Sequence, residues 1–145
     1  MSDFDKAIKF TLKWEGGETY DTGGHTKYGI SKKAHADVDI ANLTIEKAKD
    51  IYKKEYWDKI ASVEIVEIYK DADYLIALFD TAVNVGVGRA LEWAKICWSI
   101  DDLLFKRLEH YANLAKSPRY GLYLKGWLNR VIDLRNYIDK LDGEP

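Results

Sequence analysis

The chain has 145 residues and a net charge of -2, from 22 basic and 24 acidic side chains, and is 47% hydrophobic, 32% charged and 13% aromatic. That length fits one domain able to bury roughly 68–70% of its unfolded surface, and the composition excludes a disordered chain. The charge balance argues against a general nucleic-acid binder, the single cysteine excludes an intramolecular disulfide, and no apolar run is long enough for a membrane span.

The opening segment, MSDFDKAIKF, lacks the apolar core of an export signal, so a cytoplasmic location is expected. Its apolar spacing predicts a helix. Phe4, Ala7, Ile8, Thr11, Leu12 and Glu15 fall on one face. Ser2 is the expected N-cap, Asp5 completes an acidic capping box, and Gly16-Gly17 stops the helix through the left-handed conformation. Residues 18–30 break the pattern. Asp21-Thr22-Gly23-Gly24 is a turn signal between polar segments holding Tyr20, Thr26 and Tyr28, which reads as a small hairpin.

Helices then resume. Ser31 is expected to cap a short one near 32–37, and Thr44 another that carries Ala48, Ile51, Tyr52, Tyr56 and Trp57. Residues 70–85 are strongly apolar and predict the central buried helix, punctuated by Gly86 and Gly88. Residues 88–98 and 101–115 form one helix, or two bent near Ser99. Ser117-Pro118 is expected to open a last helix that runs to about Leu141. No repeat or linker interrupts the chain. The expected fold is mostly α, a single domain over 1–145 with about six to seven helices and a small N-terminal β-hairpin.

The chemistry concentrates between Trp14 and Ser31. Glu15 continues the apolar stripe of the first helix and sits at its C-terminus. Partial burial and the negative end of the helix dipole both favour a protonated carboxyl there, which a general acid needs. Asp21 follows six residues later in a polar turn that keeps it ionised. Two carboxyls in contrasting environments suit glycoside hydrolysis, and Thr26 across the turn is placed to hold a water. On spacing alone, a solvated helix-end Glu and a turn-forming Asp are the commoner reading of such residues.

The string Glu15-Gly16-Gly17, then Asp21-Thr22-Gly23-Gly24, then Thr26-Lys27-Tyr28-Gly29-Ile30-Ser31, resembles the opening of the glycoside hydrolase family 108 muramidases, which are phage endolysins and related bacterial proteins. AKDIYKKEYW at 48–57, LFDTAVNVG at 78–86 and GWLNRV at 126–131 extend the resemblance over residues 4–140. It implies an α+β lysozyme-like fold that hydrolyses the β-1,4 bond between N-acetylmuramic acid and N-acetylglucosamine. It also implies a catalytic segment near 4–90 and a peptidoglycan-binding segment near 91–141. The family's Glu-Gly-Gly acid maps onto Glu15. By analogy with other phage lysozymes, Asp21 and Thr26 position the attacking water. The stretch from Glu-Gly-Gly to the Asp is shorter than in many members, which leaves Glu18 as a rival second carboxylate. Asp21 is preferred because Thr22-Gly23-Gly24 holds its place in the turn. Neither a metal nor an organic cofactor is expected. The expected partner is the glycan strand of bacterial peptidoglycan, engaged by a monomer without membrane insertion or nucleic acid. Release to the wall then requires a holin-type pore.

Cys97 lies in an apolar stretch and reads as packing. His25, His35 and His110 lack zinc-ligand spacing, and His25 reads as a turn residue. Asp80 and Asn84 stand i, i+4 on the apolar helix, as satisfied polar groups, with Asn84 a candidate sugar contact. Tyr28 is a candidate stacking platform or the anchor of the hairpin. Trp127 reads as core rather than platform. Between 104 and 137, Lys106, Arg107, Lys116, Arg119, Lys125, Arg130 and Arg135 outnumber Glu109 and Asp133. That excess suggests a solvated or substrate-holding basic face. Two other functions stay open: a lytic transglycosylase using Glu15 alone, and a non-catalytic wall-binding or secretion-accessory protein.

Overall fold

Helix α1 (Asp3–Glu15) opens the computed structural model, which describes residues 1–21, 24–61, 64 and 71–143. The capping box forms as expected. Ser2 Oγ accepts from the Asp5 amide at 3.0 Å, and the Asp5 carboxylate accepts from the Ser2 amide at 3.1 Å. Ala7, Ile8, Phe10 and Thr11 are buried, and Phe10 widens the expected stripe by packing on Tyr137.

The stop falls on the expected glycine pair. Gly16 is extended (φ -65°, ψ 160°), and the positive φ of 106° falls on Gly17. Gly16 is required for space instead, because a Cβ there would stand 2.6 Å from the Leu12 carbonyl oxygen.

Strands β1 (Glu18–Asp21), β2 (Gly24–Lys27) and β3 (Ile30–Ser31) form one antiparallel sheet in that order. The tip residues Thr22 and Gly23 of the expected Asp21–Gly24 turn lie outside the described residues. Tyr28-Gly29 joins β2 to β3 with φ values of 53° and 78°, as a two-residue hairpin turn of the I′ type requires.

The helix expected near 32–37 does not form. Ser31 is held in β3 opposite Thr26, and the Lys32 amide extends the pairing by donating to the His25 carbonyl at 2.8 Å. The Lys32 ammonium then takes the Ala36 and Val38 carbonyls. Ser31 caps a single turn, its Oγ accepting from the Ala34 amide at 3.2 Å and its carbonyl from the His35 amide at 3.0 Å, and the Lys32 capping of the next carbonyls ends it there.

After a single 3-10 turn (Ile40–Asn42), Thr44 caps α2 (Ile45–Tyr52) as expected, through a 3.2 Å bond from the Lys47 amide. A π-helical turn (Lys53–Trp57) leads into α3 (Asp58–Ala61). The central helix, α4, spans Ala72–Val85 with Asp71 as N-cap. Residue 70, its expected first residue, lies outside the described residues. Gly86 (φ 99°) ends α4, whereas Gly88 lies inside α5 (Val87–Ala94). Two helices follow where one or two were expected, because Ser99 caps α6 (Ile100–Leu114) by accepting from the Asp102 amide.

Ser117-Pro118 opens only the four-residue α7 (Pro118–Gly121), without a side-chain cap bond. The last long helix, α8, begins at Leu124 and runs to Gly143. Gly121 weakens helix continuation by about 1 kcal/mol relative to alanine. Leu122 and Tyr123, at 86% and 56% exposure, find no core to pack against.

Helix α4 is the axis of the molecule and touches α1, α3, α5, α6 and α8. Its Phe79 meets Phe4, Tyr52 and Trp57 edge-on at 5.8–6.4 Å between centroids. One buried cluster joins Ala7 of α1, Ile30 of β3, Phe79 of α4 and Leu134 of α8. The fold is thus the mostly helical single domain with a small N-terminal sheet that the patterning predicts. Among the described residues, no helix is long and apolar enough to cross a membrane.

Candidate active site

Three constraints fix where Glu15 stands. The Leu12 carbonyl forces glycine at position 16, so α1 ends with Glu15 as its last residue. The sheet returns the chain to it. A Cβ on Gly29 would lie 3.0 Å from Glu15 Cβ and 3.3 Å from Oε2, and would overlap the Tyr52 hydroxyl. That hydroxyl donates to the Tyr28 carbonyl at 2.7 Å, while the Tyr28 amide donates to Gly17 at 2.9 Å. Tyr28 is the non-glycine residue with positive φ among the described residues. It is half-buried against the core, so the hairpin-anchor role has direct support.

The third constraint comes from 115 residues away. Arg130 Nη1 donates to Glu15 Oε1 at 2.7 Å. Its Nε and Nη2 donate to Asp80 at 3.2 and 2.8 Å. Asp80 is fully buried on α4 and also meets Arg107 at 2.9 Å and the Thr11 hydroxyl at 2.9 Å. Burial alone would push the Asp80 carboxyl up, but Arg107 and Arg130 overcome it and hold it below its ordinary value. Burial likewise opposes the Arg130 charge, and Asp80 and Glu15 more than offset it. Burial raises the Tyr52 and Tyr56 hydroxyls, and the neighbouring Glu15 adds to the effect on both.

The expectation for Glu15 weighed only burial and the dipole; the fold adds a guanidinium at bonding distance. Sequence reasoning missed Arg130 and the Asp80 network behind it. The signal was there. Arg130 occupies an apolar-stripe position beside Val131, Leu134 and Ile138, and Arg107 does the same beside Leu103, Leu104 and Tyr111. A charge inside an apolar stripe needs a buried partner.

The β-register sorts the second carboxylate. Asp21 pairs with Gly24 and Thr19 with Thr26, so Asp21, Thr19 and Thr26 share a face, joined by Ser31 opposite Thr26. Asp21 and Thr26 are diagonal neighbours, a relation that sets Cα atoms about 7–8 Å apart. Glu18 stands on the other face with Tyr20, His25 and Lys27. His25 Nε2 lies 2.7 Å from its carboxylate and stacks on Tyr20 at 4.0 Å. The hydrogen bond from His25 holds the Glu18 carboxyl below its ordinary value. Thus the sheet groups Asp21 with Thr26 and turns the rival Glu18 away from them.

Asn84 stands at the C-terminal end of α4, where its Oδ1 accepts from the Tyr111 hydroxyl. It borders a groove together with Trp14, Trp127 and Arg130. Trp127 stacks on Tyr111 at 4.9 Å and is only partly buried, so it serves both packing and groove.

The basic face between 104 and 137 is corrected. Arg107 and Arg130 are 0% and 6% exposed and belong to the buried network, while Arg135 pairs with Asp101 and Asp139. Cys97 is buried, and burial pushes its thiol up, as suits packing. His25 lies on β2, His35 bonds Glu55, and His110 packs edge-on to Trp93. Among the described residues, no cluster of His, Cys, Asp and Glu is placed to hold a metal.

Residues 8–86 match the family Glycosyl hydrolase 108. No curated protein and no solved structure matches the chain.

Proposed function

The chain belongs to glycoside hydrolase family 108 and is therefore a peptidoglycan-degrading glycoside hydrolase, and we propose that it cleaves the β-1,4 bond between N-acetylmuramic acid and N-acetylglucosamine with Glu15 as general acid. The observation that carries this is the setting of Glu15. Its carboxyl is partly exposed at a helix end, between Gly29 and a buried guanidinium, where the β-hairpin returns to α1, and Asp21 and Thr26 share one face of that hairpin.

In this reading the Glu15 proton passes to the glycosidic oxygen as the C1–O bond breaks. Water held by Asp21 and Thr26 attacks C1 from the opposite side and gives its proton to Asp21. This is an inverting displacement, which works with carboxyls roughly 6.5–9.5 Å apart. Glu15 becomes a carboxylate as its proton leaves. Arg130 is already aimed at Oε1, so it stabilises that developing charge without rearranging. Asp80 and Arg107 lock Arg130 in turn and make it a positioning residue. The phage-lysis setting rests on the likeness of the Glu15–Ser31 motif to endolysins.

Clearing of permeabilised bacteria by wild type and by Glu15→Gln tests the acid. The amide keeps the shape and has no acidic proton. Clearing should fall by about 100-fold or more, the usual contribution of a general acid. Equal clearing would sink the assignment and return attention to Glu18. Reducing product ends are expected; 1,6-anhydro ends would identify a transglycosylase instead.

A further inference from the structure

Resting on the reading of the chain as a peptidoglycan hydrolase, we propose that the cleft between α5 and α6 binds a free carboxylate of the peptidoglycan stem peptide. The cleft has a volume of about 220 Å³ and is lined by Arg89 and Trp93 of α5 and by Lys106, Glu109, His110 and Asn113 of α6. It lies beyond residues 8–86, the part of the chain that matches the family, and holds none of the residues assigned to bond cleavage.

The sequence builds the cleft from two helix faces. Residues 106, 109, 110 and 113 are spaced i, i+3, i+4, i+7, which sets them on one face of α6, while Leu103, Leu104, Arg107 and Tyr111 of the same helix are buried. Arg89 and Trp93 stand i, i+4 on α5. His110 meets the Trp93 ring edge-on at 5.5 Å, so the aromatic part of the lining is packed before a ligand enters. Charge then marks the ligand as an anion. Arg89 Nη1 stands 3.4 Å from the Val85 carbonyl and 3.4 Å from His110 Nε2, two long contacts to uncharged groups. Among the described residues, neither Arg89 nor Lys106 has a carboxylate within ion-pairing distance, although Glu92 and Glu109 are each three residues further along their helices. Burial, and after it Arg89, hold the His110 imidazole below its ordinary value, so it adds no charge near neutral pH. Two cations thus face one carboxylate in the lining.

Size and chemistry select a peptide carboxylate. The volume is below the roughly 300–1,000 Å³ of a small-molecule site, which suits the end of a chain rather than a disaccharide. A guanidinium pairs with a carboxylate through two parallel N–H bonds, and Lys106 adds a point charge. Glu109 repels the second negative charge of a phosphate but accepts the N–H of a peptide bond, and the Asn113 carboxamide both donates and accepts. Reach fits as well. His110 lies 6.0 Å from Tyr111, and Tyr111 lies 4.9 Å from Trp127, so the imidazole is at most about 11 Å from Trp127 in the groove beside Arg130. The stem peptide starts at the lactyl group of muramic acid, and an extended peptide spans that distance in about three to four residues, at about 3.3–3.6 Å each.

The test titrates the wild-type chain, carrying ¹⁵N-labelled tryptophan, with three probes at equal concentration. They are N-acetylglucosaminyl–N-acetylmuramoyl tetrapeptide, the same disaccharide without its peptide, and inorganic phosphate. The Trp93 indole resonance should shift with the tetrapeptide probe and not with the other two, while that of Trp57, packed against Phe4 and Phe79, stays. Arg89→Gln, at an exposed helix position, should raise the dissociation constant for the tetrapeptide probe about tenfold, the low end for a hydrogen bond to a charged group. Lys106→Gln should act in the same direction. Equal affinity in both variants overturns the proposal, as does a Trp93 shift of the same size from the peptide-free disaccharide. An equal shift from phosphate marks a general anion site and overturns the peptide assignment. Cleavage of purified sacculi by the wild type tests the hydrolase reading separately. Cleavage without tetrapeptide binding overturns the cleft alone. Binding without cleavage leaves the cleft standing and overturns the proposed cleavage, and absence of both overturns the two together.

Discussion

Gly29 shows how much of this site rests on one missing methyl group. Its φ of 78° disfavours any side chain, and its position against Glu15 and the Tyr52 hydroxyl leaves no volume for one. Gly29→Ala should therefore lose about 1–2 kcal/mol to backbone strain. A further loss comes from displacing Tyr52, and cleavage activity should fall with it. The two losses are separable. Tyr52→Phe alone removes the bond to the Tyr28 carbonyl, worth about 0.5–1.5 kcal/mol. It also opens space for the new methyl, so the double variant Gly29→Ala/Tyr52→Phe should be more stable than the two single losses add up to. Additive urea-denaturation energies would show that the hydroxyl and position 29 do not meet. Arg130 illustrates the opposite economy. Its charge is tolerated in the interior because every bond it makes is to a carboxylate, and one of those carboxylates is the candidate acid.

Helix ends were the most legible elements. Ser2 and Thr44 each cap the helix that their spacing predicts, because a cap is a contact over three residues and needs no distant partner, and Ser99, expected only as a bend, caps α6 in the same way. Ser2→Ala should lower stability by about 0.5–2 kcal/mol and leave kcat unchanged. A drop in kcat at full stability would mean that the N-terminus of α1 steers the site at its other end. Ser31 and Ser117 carry the same cap chemistry and fail to start the helices expected of them. Ser31 is captured by pairing with β2, and the turn after Ser117 has no apolar surface to settle on. A local signal survives only where tertiary contacts do not compete with it.

Stability of the entire molecule should depend on pH through opposing carboxyls. Burial, together with a hydrogen-bonded Asp142 carboxyl, raises Asp73 at the start of α4 to about 6 from an ordinary 3.8. The folded state then holds the proton more tightly than the unfolded chain, so this pair favours folding more as pH falls from above 6 toward 4. Asp80 and Glu18 work the other way. Both are held below their ordinary values of 3.8 and 4.5, so their stabilisation is present above those values and is lost as pH falls through the folded ones. Urea denaturation across pH should show a maximum between about 4 and 6. Asp73→Asn should flatten the alkaline side of that curve and raise stability near pH 7.5. An unchanged alkaline limb would remove the carboxyl pair as its cause.

What the amino-acid sequence determined alone is whatever depends on neighbours along the chain. The α1 stripe, the α4 core helix, the break at Gly16-Gly17 and the hairpin around Gly24 all follow from periodicity and turn chemistry within a few residues. Glu15 stood out where an apolar stripe meets a glycine stop, and the likeness of its Glu-Gly-Gly motif to family 108 made it the residue to watch. The tertiary structure decided the rest. It turned Glu18 from Asp21 through a two-residue register, brought Arg130 to Glu15 across 115 positions, and put Asn84 and Trp127 on one groove wall. It also took Arg107 and Arg130 out of the apparent basic face and into the core. Periodicity reports which face a side chain occupies. Which partner waits on that face is fixed only when α1, α4 and α8 pack together, because a buried charge is stable only beside its counter-charge.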